Sequence, residues 1–225
     1  MGASDFSKLP HIGESLRRKE DYRFLTGAGQ YTDDVQMANM THAYFVRSPH
    51  AHAHIKSIDK KAALAAPGVI GIFDGKDVAG DSINGLPCGW LITDTSGQPM
   101  NEPAHPILAQ GKVRYVGEAV VAVLAESRYI AEDAAELVQI EFDVLPAIDR
   151  PEDALAEGAP LLHEAAGTNL LLQRGFTRGD PATVMASAAV RVQGRFRMHR
   201  KCPLAMEPRS YLAEFDAGQR SLTLH

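Results

Sequence analysis

Cysteine is scarce in this sequence, and its scarcity narrows the possible chemistry. The 225 residues contain two cysteines, Cys88 and Cys202, which stand far apart and form no CxxC pair. A disulfide framework and an all-cysteine metal or cluster site within this chain are therefore excluded. The sequence predicts a protein of a reducing compartment.

Long hydrophobic runs are also missing. The longest apolar run, Ala119 to Ala125, is far below the ~20 residues that a membrane-spanning helix needs. The opening MGASDFSKLP lacks the basic-then-apolar order of a signal peptide. The net charge is only -5 and the lysines and arginines are scattered, so no nucleic-acid partner is expected. We expect a cytoplasmic protein without a membrane span.

The overall amino-acid composition is that of an ordinary folded protein. Hydrophobic residues make up 45% and charged residues 23% of the chain, which is far from disordered or fibrous compositions. The length suits one large or two small domains at ~100–200 residues each.

Alternating and apolar runs in the first part of the chain predict short strands. QYTDDV, THAYFVRS and HAHIKSID alternate β-forming residues, whereas the opening stretch to about Gly29 reads as an extended arm. KKAALAAP predicts a short helix that ends at Pro67, and GVIGIF predicts a buried strand. The segment from Asp74 to Gly111 is rich in Gly and Pro without a persistent period, which predicts a long loop.

A strand, a helix and a second strand follow that loop. VRYVGEAVVAVLAES predicts a central strand, SRYIAEDAAELVQ a helix capped by Ser127, and QIEFDVLP the closing strand. The apolar stripe of the helix comprises Ile130, Ala134, Leu137 and Val138. Because almost no linker joins the three elements, we expect a parallel right-handed crossover within a mixed sheet.

The composition changes at DRPEDALAEGAP, where we expect a linker. GDPATVMASA then predicts a short helix with Asp180 as its cap and Pro181 at its first position. AVRVQGRFRMHR, SYLAEFD and RSLTLH predict strands. The fold class is therefore α/β (α+β): a mixed sheet with a crossover helix, followed by a second α+β domain that is incomplete within these residues.

Three alternating histidines form the sharpest candidate site. On a strand, the rings of His50, His52 and His54 would share one face and could approach a metal ion. Three adjacent strand positions rarely converge on one ion, and no carboxylate follows before Asp59. A partly exposed strand face is the favoured interpretation.

Two further patterns favour structural interpretations. Gly27 and Gly29 precede a predicted strand instead of joining a strand to a helix, as a dinucleotide site requires, so they indicate a turn. Paired carboxylates could suggest acid–base chemistry, and the candidates are Asp33 with Asp34, and Glu132 with Asp133 and Glu136. The second group lies on the predicted helix, where it indicates a solvated face.

Candidate nucleophiles lack supporting context. Ser48 and Ser127 are not part of a GxSxG motif. Cys202 lies beside three basic residues, His199, Arg200 and Lys201. Cations can activate a thiol, but flanking residues on a strand point to opposite faces, so a reactive thiol is not favoured.

The MEPR stretch, which includes Glu207 and Arg209, favours a structural contact between acid and base. The residues by themselves therefore assign no catalytic residue, no metal ligand and no identified cofactor-binding residue.

Six blocks of sequence carry a family resemblance. They are RRKEDYRFLTGAGQYTDD, HAYFVRSPHAHAHIKSID, APGVIGIFDGKDV, VRYVGEAVVAVLAESRYIAEDAAELVQIEFDVLPAI, APLLHE and MEPRSYLAEFD. In this order they resemble the N-terminal part of the molybdenum-binding large subunit of the xanthine dehydrogenase, aldehyde oxidase and carbon monoxide dehydrogenase family. The resemblance covers nearly the whole chain.

The resemblance implies a division into domains. Residues 1–16 would be an N-terminal arm, residues 17–148 an α/β hammerhead domain, residues 149–160 a linker, and residues 161–225 the beginning of a molybdopterin-binding domain. The family's catalytic motifs come later in its sequences, and no position here matches them. The alternating histidines fall in a scaffold block of that family.

The resemblance also implies a function. The complete subunit would hydroxylate an aldehyde or N-heterocycle with oxygen from water, or oxidise CO, with molybdopterin as cofactor and with FAD and 2Fe-2S clusters on partner subunits or domains. Its partners would be the remaining molybdopterin-binding domains, an FAD-binding medium subunit and an iron–sulfur small subunit. This chain alone would be inactive. The alternatives are a freestanding docking module for redox subunits and, more weakly, a histidine-based metal protein.

Overall fold

The computed structural model describes residues 13–199, 201–206 and 208–225. In chain order its strands are β1 His42–Arg47, β2 Ala53–Asp59, β3 Val69–Asp74, β4 Lys112–Val113, β5 Ala119–Ala125, β6 Gln139–Val144, β7 Ala213–Asp216 and β8 Ser221–Leu224. Its α-helices are α1 Asp21–Leu25, α2 Lys61–Leu64, α3 Gly75–Gly80, α4 Arg128–Glu136, α5 Pro151–Ala154 and α6 Pro181–Ser187. Short 3-10 turns occupy Thr32–Asp34 and Glu164–Ala166.

The chain divides into two compact units. The larger unit comprises Asn39–Arg195, and the smaller one combines the residues up to Ala38 with Phe196–His225. In the smaller unit β7 and β8 form the antiparallel hairpin that SYLAEFD and RSLTLH predict. The carboxylate of Asp216 closes its turn by accepting hydrogen bonds from the backbone N–H groups of Gly218 and Gln219.

Two three-stranded sheets build the larger unit. The first has the order β1-β5-β3 and the second the order β4-β2-β6. The middle strands, β5 and β2, pair antiparallel with both neighbours. This arrangement confirms the α/β fold class, but the sheets among the described residues are antiparallel and not mixed.

The core of the larger unit lies around β5. Val120, Val121 and Val123 are completely buried and cluster with Ala53 of β2 and Val113 of β4. Helix α4 packs against β5 and its neighbours, and the helix contributes the buried side chains Ala131, Ala134 and Ala135. Apolar burial of this kind is the main stabilising contribution to a fold of this size.

The predicted parallel crossover is wrong. Helix α4 carries the chain from the first sheet to the second, so β5 and β6 are not partners. Both edges of β5 are already occupied, by β1 and by β3, and β6 therefore pairs with β2 instead. The rule that links strand, helix and strand to a crossover assumes that both strands lie in one sheet.

Local side-chain hydrogen bonds explain two further differences. The QYTDDV stretch forms a 3-10 turn and no strand, because the Asp34 carboxylate accepts the Tyr31 N–H in a capping box. Helix α3, at the start of the predicted loop, begins with a second capping box between Asp74 and Asp77. The ammonium group of Lys60 bridges these two carboxylates at 3.1 and 2.9 Å.

Two predicted segments also differ in extent. The strand expected over VRYVGEAVVAVLAES is divided into β4 and β5 by a turn in which Gly117 has a φ of 88°. The opening stretch to about Gly29, which was expected to be extended, contains helix α1 among its described residues, whereas residues 1–12 lie outside them.

The strand predicted over AVRVQGRFRMHR is absent from the described residues 189–199. Val190, Val192 and Phe196 are 79%, 87% and 95% exposed. A strand needs a neighbour to satisfy its backbone groups, and none pairs with this segment here. Helix α6 forms as predicted, with Asp180 accepting the Thr183 N–H.

No helix in the described part of the chain combines the length and the apolar character that crossing a membrane requires.

The cap of α4 provides a test of the local structure. The Ser127 hydroxyl accepts the Ile130 N–H at 3.2 Å, so Ser127→Ala should lower the free energy of unfolding by about 1 kcal/mol. Urea denaturation followed by circular dichroism measures the change. Ser57→Ala, on the exposed side of β2, is the matched control. An equal effect of both substitutions would contradict the capping role.

Candidate functional site

Two adjacent clefts lie along the residues between α3 and β4, called the long loop below (residues 81–111). The first cleft has a volume of about 510 Å³ and the second about 350 Å³. Ala104 and Arg114 line both of them. The second cleft is lined by Asn101, Glu102, Pro103, Ala104, Arg114, His163, Glu164, Ala165 and Ala166.

Hydrogen bonds and close packing fold the long loop back on itself. The Leu86 N–H donates to His105 O at 2.8 Å, and a Cβ atom on the adjacent Gly85 would collide with the same carbonyl. Only glycine allows this close approach. Near the tip, one carboxylate oxygen of Asp94 accepts the backbone N–H groups of Ser96 and Gln98. These contacts give the walls of both clefts a defined shape.

Arg114 is held by backbone groups on two sides. Its Nε donates to Leu162 O at 3.2 Å and its Nη1 to Lys112 O at 3.3 Å. The Arg114 N–H donates to the carboxylate of Glu118, which is only 6% exposed. Strand β4 and the turn after it therefore place the guanidinium between the two clefts.

The second cleft contains a partly buried ion pair. The Lys112 ammonium lies 2.5 Å from Oε1 of Glu164, and the lysine side chain is 6% exposed against 63% for the glutamate. The hydrogen bond from Lys112 lowers the pKa of Glu164 to about 2, assisted by the backbone N–H of Glu164. A carboxylate with a lowered pKa stabilises the fold above its ordinary pKa of 4.5, and this contribution is lost as the pH falls towards 2.

His163 is the titratable ring of the second cleft. Burial lowers its pKa below the ordinary 6.5, and the positive charges of Arg114 and Lys112 lower it further, whereas Glu164 acts in the opposite direction. The imidazole is therefore neutral at pH 7 and can both accept and donate a hydrogen bond.

The chemistry available in the second cleft is polar binding and orientation. Its lining supplies an amide, a guanidinium and a neutral imidazole, but no serine or cysteine nucleophile. Among the described residues, no group of three or more His, Cys, Asp or Glu side chains could hold a metal ion. The residues of the second cleft therefore hold neighbouring chain segments in place and orient polar groups towards the cleft.

The structure separates the three alternating histidines. His50 and His52 precede β2, and only His54 belongs to the strand. The ring of His50 meets Phe142 edge to face at 5.1 Å. His52 is buried with its Nδ1 2.8 Å from Pro146 O, whereas His54 is exposed. The rings therefore do not share one environment, although a common strand face was expected.

The remaining glycine and carboxylate candidates have structural positions. Gly27 follows α1 with a φ of 72°, as the predicted turn requires, and Gly29 packs against the ring of Phe24. Asp33 and Asp34 belong to the 3-10 turn. The predicted solvated face of α4 consists of the exposed residues Glu132, Asp133 and Glu136.

The serine candidates have local structural roles, and the cysteines are free thiols. The Ser48 hydroxyl bonds with the backbone of His50, and Ser127 caps α4. Cys202 is an exposed free thiol, and Cys88 is a partly buried one. Of the flanking and MEPR residues, Arg200 and Glu207 lie outside the described residues.

Sequence reasoning missed the residues that line the second cleft. Arg114 stands within the predicted strand VRYVGEAVVAVLAES, Lys112 directly precedes it, and His163 and Glu164 belong to the APLLHE block. The signal that could have identified Lys112 is a lysine at an inward-facing strand position, which requires a nearby carboxylate.

The environment of His163 can be tested by its titration. We expect an NMR midpoint below 6.5 and a rise of this midpoint in Arg114→Gln, because one neighbouring positive charge is removed. Arg47→Gln is the matched control, since Arg47 binds Gly117 O instead. A His163 midpoint that does not respond to Arg114→Gln would contradict the proposed electrostatics.

Two family models match the chain in succession. Residues 26–146 match the model described as aldehyde oxidase and xanthine dehydrogenase, a/b hammerhead domain. Residues 162–225 match the molybdopterin cofactor-binding domain. The two clefts lie within the first match and at the start of the second.

Similar proteins of known identity are large subunits of oxidoreductases. The chain is 33% identical to the 6-hydroxypseudooxynicotine dehydrogenase complex subunit gamma of Paenarthrobacter nicotinovorans, over 98% of this chain and 27% of that protein. It is 36% identical to the carbon monoxide dehydrogenase large chain of Hydrogenophaga pseudoflava, over 92% of this chain and 26% of that protein. The chain thus spans about a quarter of the length of these relatives.

Solved structures agree with these sequence matches. Quinoline 2-oxidoreductase from Pseudomonas putida 86 superposes with a TM-score of 0.79 at 38% identity, covering 95% of this chain and 26% of that one. The aldehyde oxidoreductase of Desulfovibrio gigas superposes with a TM-score of 0.61 at 30% identity, covering 77% and 19%. The chain belongs to the aldehyde oxidase and xanthine dehydrogenase family and corresponds to the hammerhead-containing portion of its molybdenum hydroxylase large subunits.

Proposed function

We propose that the complete protein is a molybdenum-dependent hydroxylase and that this chain supplies its scaffold portion. The complete enzyme would hydroxylate an aldehyde or an N-heterocycle with oxygen from water, or oxidise CO. The observation that carries the proposal is the succession of the hammerhead match and the molybdopterin-domain match in one chain. The relatives at 33% and 36% identity are dehydrogenase subunits.

Four segments of the chain have separate roles in this proposal. Residues 1–16 are the arm, residues 17–148 the hammerhead domain, residues 149–160 the linker and residues 161–225 the beginning of the molybdopterin-binding domain. The gap between the matches, from 146 to 162, supports the position of the linker. Within it, α5 is a single turn that begins with Pro151.

The two clefts among the described residues do not form a molybdopterin site by themselves. A cofactor of this size binds in a concave pocket with several converging polar groups, and neither cleft is lined by a residue beyond Ala166. Phe176, Val192 and Met198 in the matched region are 87–89% exposed. In this proposal the cofactor is held by later parts of the subunit, and no chemical step is assigned to this chain.

Exposed apolar side chains support the presence of further polypeptide in the complete protein. Val190, Phe196, Met198, Leu204 and Met206 are between 79% and 103% exposed. Apolar side chains that are exposed to this extent in a folded protein mark interaction sites. We propose that the remaining molybdopterin-binding domains cover them.

The partners and location follow from the same assignment. We propose that an FAD-binding medium subunit and an iron–sulfur small subunit carry electrons away from the molybdenum site. The relative from P. nicotinovorans is by name a subunit of a dehydrogenase complex, which supports this arrangement. We propose a cytoplasmic location for the complete protein.

The intact mass of the polypeptide from its source cell tests the proposal directly. We expect native mass spectrometry to find this sequence in a chain several times heavier than 24.4 kDa, since it spans 27% of the length of a relative. A mass of 24.4 kDa would contradict the proposal. Redox subunits that co-purify with such a short chain would then favour the docking module.

The isolated chain provides a second test. We expect the 225-residue polypeptide neither to bind molybdopterin in stoichiometric amount nor to oxidise aldehydes, because its residues do not enclose a cofactor site. Cofactor content after reconstitution and dye-coupled aldehyde oxidation are the measurements. Stoichiometric binding together with turnover would refute the division of labour proposed here.

A further inference from the structure

Residues 162–175 lie against the long loop and β4, although the linker separates them from these elements in sequence. The Asn101 N–H donates to Leu171 O at 2.9 Å, and the Asn101 amide donates to Leu170 O at 2.8 Å. The Gly175 N–H donates to Oγ1 of Thr95 at 2.9 Å. These contacts all lie within the larger compact unit.

The same segment receives charged groups from β4 and the turn after it. Arg114 Nε donates to Leu162 O, and the Lys112 ammonium contacts Glu164. Lys112 as a residue is 4% exposed, so its positive charge is held inside the fold. A buried ammonium is tolerated only with a charged or hydrogen-bonding partner, and the carboxylate that supplies it here belongs to the segment 162–175.

Asn169 gives the segment a shape of its own. Its amide nitrogen donates to Ala154 O and Pro160 O, both at 3.0 Å, and its side-chain oxygen accepts the Leu162 N–H at 2.9 Å. One side chain therefore ties the end of α5, the linker and the start of the segment together. In this shape Glu164 lies in the 3-10 turn Glu164–Ala166 and faces Lys112.

We propose that residues 162–175 form a strap that fastens the beginning of the molybdopterin-matched region to the hammerhead region, with Lys112 and Glu164 as its charged anchor. Lys112 and Glu164 are then positioning residues: they act on the later chain only through the strap. The assignment of the two regions rests on the proposed function, whereas the fastening itself rests on the contacts above.

The unequal exposure of the two partners predicts an unequal cost of removing them. Glu164→Gln leaves a buried ammonium without its counter-charge, whereas Lys112→Met leaves a carboxylate that is 63% exposed and can be hydrated. Glu164→Gln should therefore loosen the strap more than Lys112→Met does. The double variant should recover part of the loss, because it removes the buried charge as well.

Hydrogen–deuterium exchange of the full polypeptide, followed by mass spectrometry, tests the strap. We expect Glu164→Gln to accelerate exchange in peptides from 95–101 and 162–175 by roughly tenfold or more. Exchange in β5 should stay at its original rate. Glu141→Gln is the matched control, because Glu141 pairs with Lys56 at 3.6 Å on an exposed surface. This control should leave exchange in the strap unchanged.

Three results would overturn the proposal. Exchange of the strap at the wild-type rate in Glu164→Gln would show that the pair does not fasten it. Equal acceleration in β5 would show a general loss of stability and no local fastening. A double variant that exchanges at least as fast as Glu164→Gln would remove the electrostatic explanation.

A further variant keeps the strap testable if Glu164→Gln fails to fold. Asn101→Ala removes the bond to Leu170 O without changing any charge, and it should accelerate exchange in the strap but not in β5. None of these measurements uses the cofactor or enzyme activity. Failure of the strap proposal and failure of the hydroxylase assignment are therefore distinguishable. Hydrogen–deuterium exchange decides the first, and the intact mass of the polypeptide decides the second.

Discussion

Burial of β5 is the constraint on which the rest of the larger unit depends. Val120, Val121, Val123 and Ala125 have no exposed surface, and both edges of the strand are paired, by β1 and β3. A strand in this position can accept no further neighbour. The chain that leaves it through α4 enters the second sheet, where β6 pairs with β2.

The polar interactions of the fold are concentrated where irregular backbone replaces strands. The long loop has few ladder hydrogen bonds, and its shape depends on local acceptors such as the Asp94 carboxylate and His105 O. Buried charges occur beside it, in Lys112 and Glu118. Since a buried charge requires a precise partner, these residues define the position of the neighbouring chain more sharply than apolar packing does.

The family assignment and the contacts of the second cleft both bear on the role of this chain. The similar proteins are oxidoreductase subunits, and the chain spans about a quarter of their length. Within that quarter, the titratable residues of the second cleft are engaged in holding chain segments together. Arg114 binds backbone carbonyls, and Glu164 binds Lys112. In the proposed function, contacts of this kind make the chain a support for a catalytic centre that other residues complete.

The sequence by itself determined the features that depend on neighbouring residues. Ser127 and Asp180 cap their helices as predicted, because a cap is made within one turn of chain. The family and the irregular course of most of the long loop were also predictable, since both are recorded in local blocks of sequence. The apolar run from Ala119 to Ala125 marks the central strand but not its partners.

Only the tertiary structure decided which strands pair and which charges meet. β6 cannot pair with β5 because β1 and β3 occupy both edges of that strand, and no local pattern records that occupancy. AVRVQGRF alternates like a strand, yet its residues stay unpaired here because strand formation needs a neighbour. The ion pair of Lys112 and Glu164 joins residues 52 positions apart. Such a contact exists only after folding has brought residues 162–175 back to β4, so sequence spacing alone could not predict it.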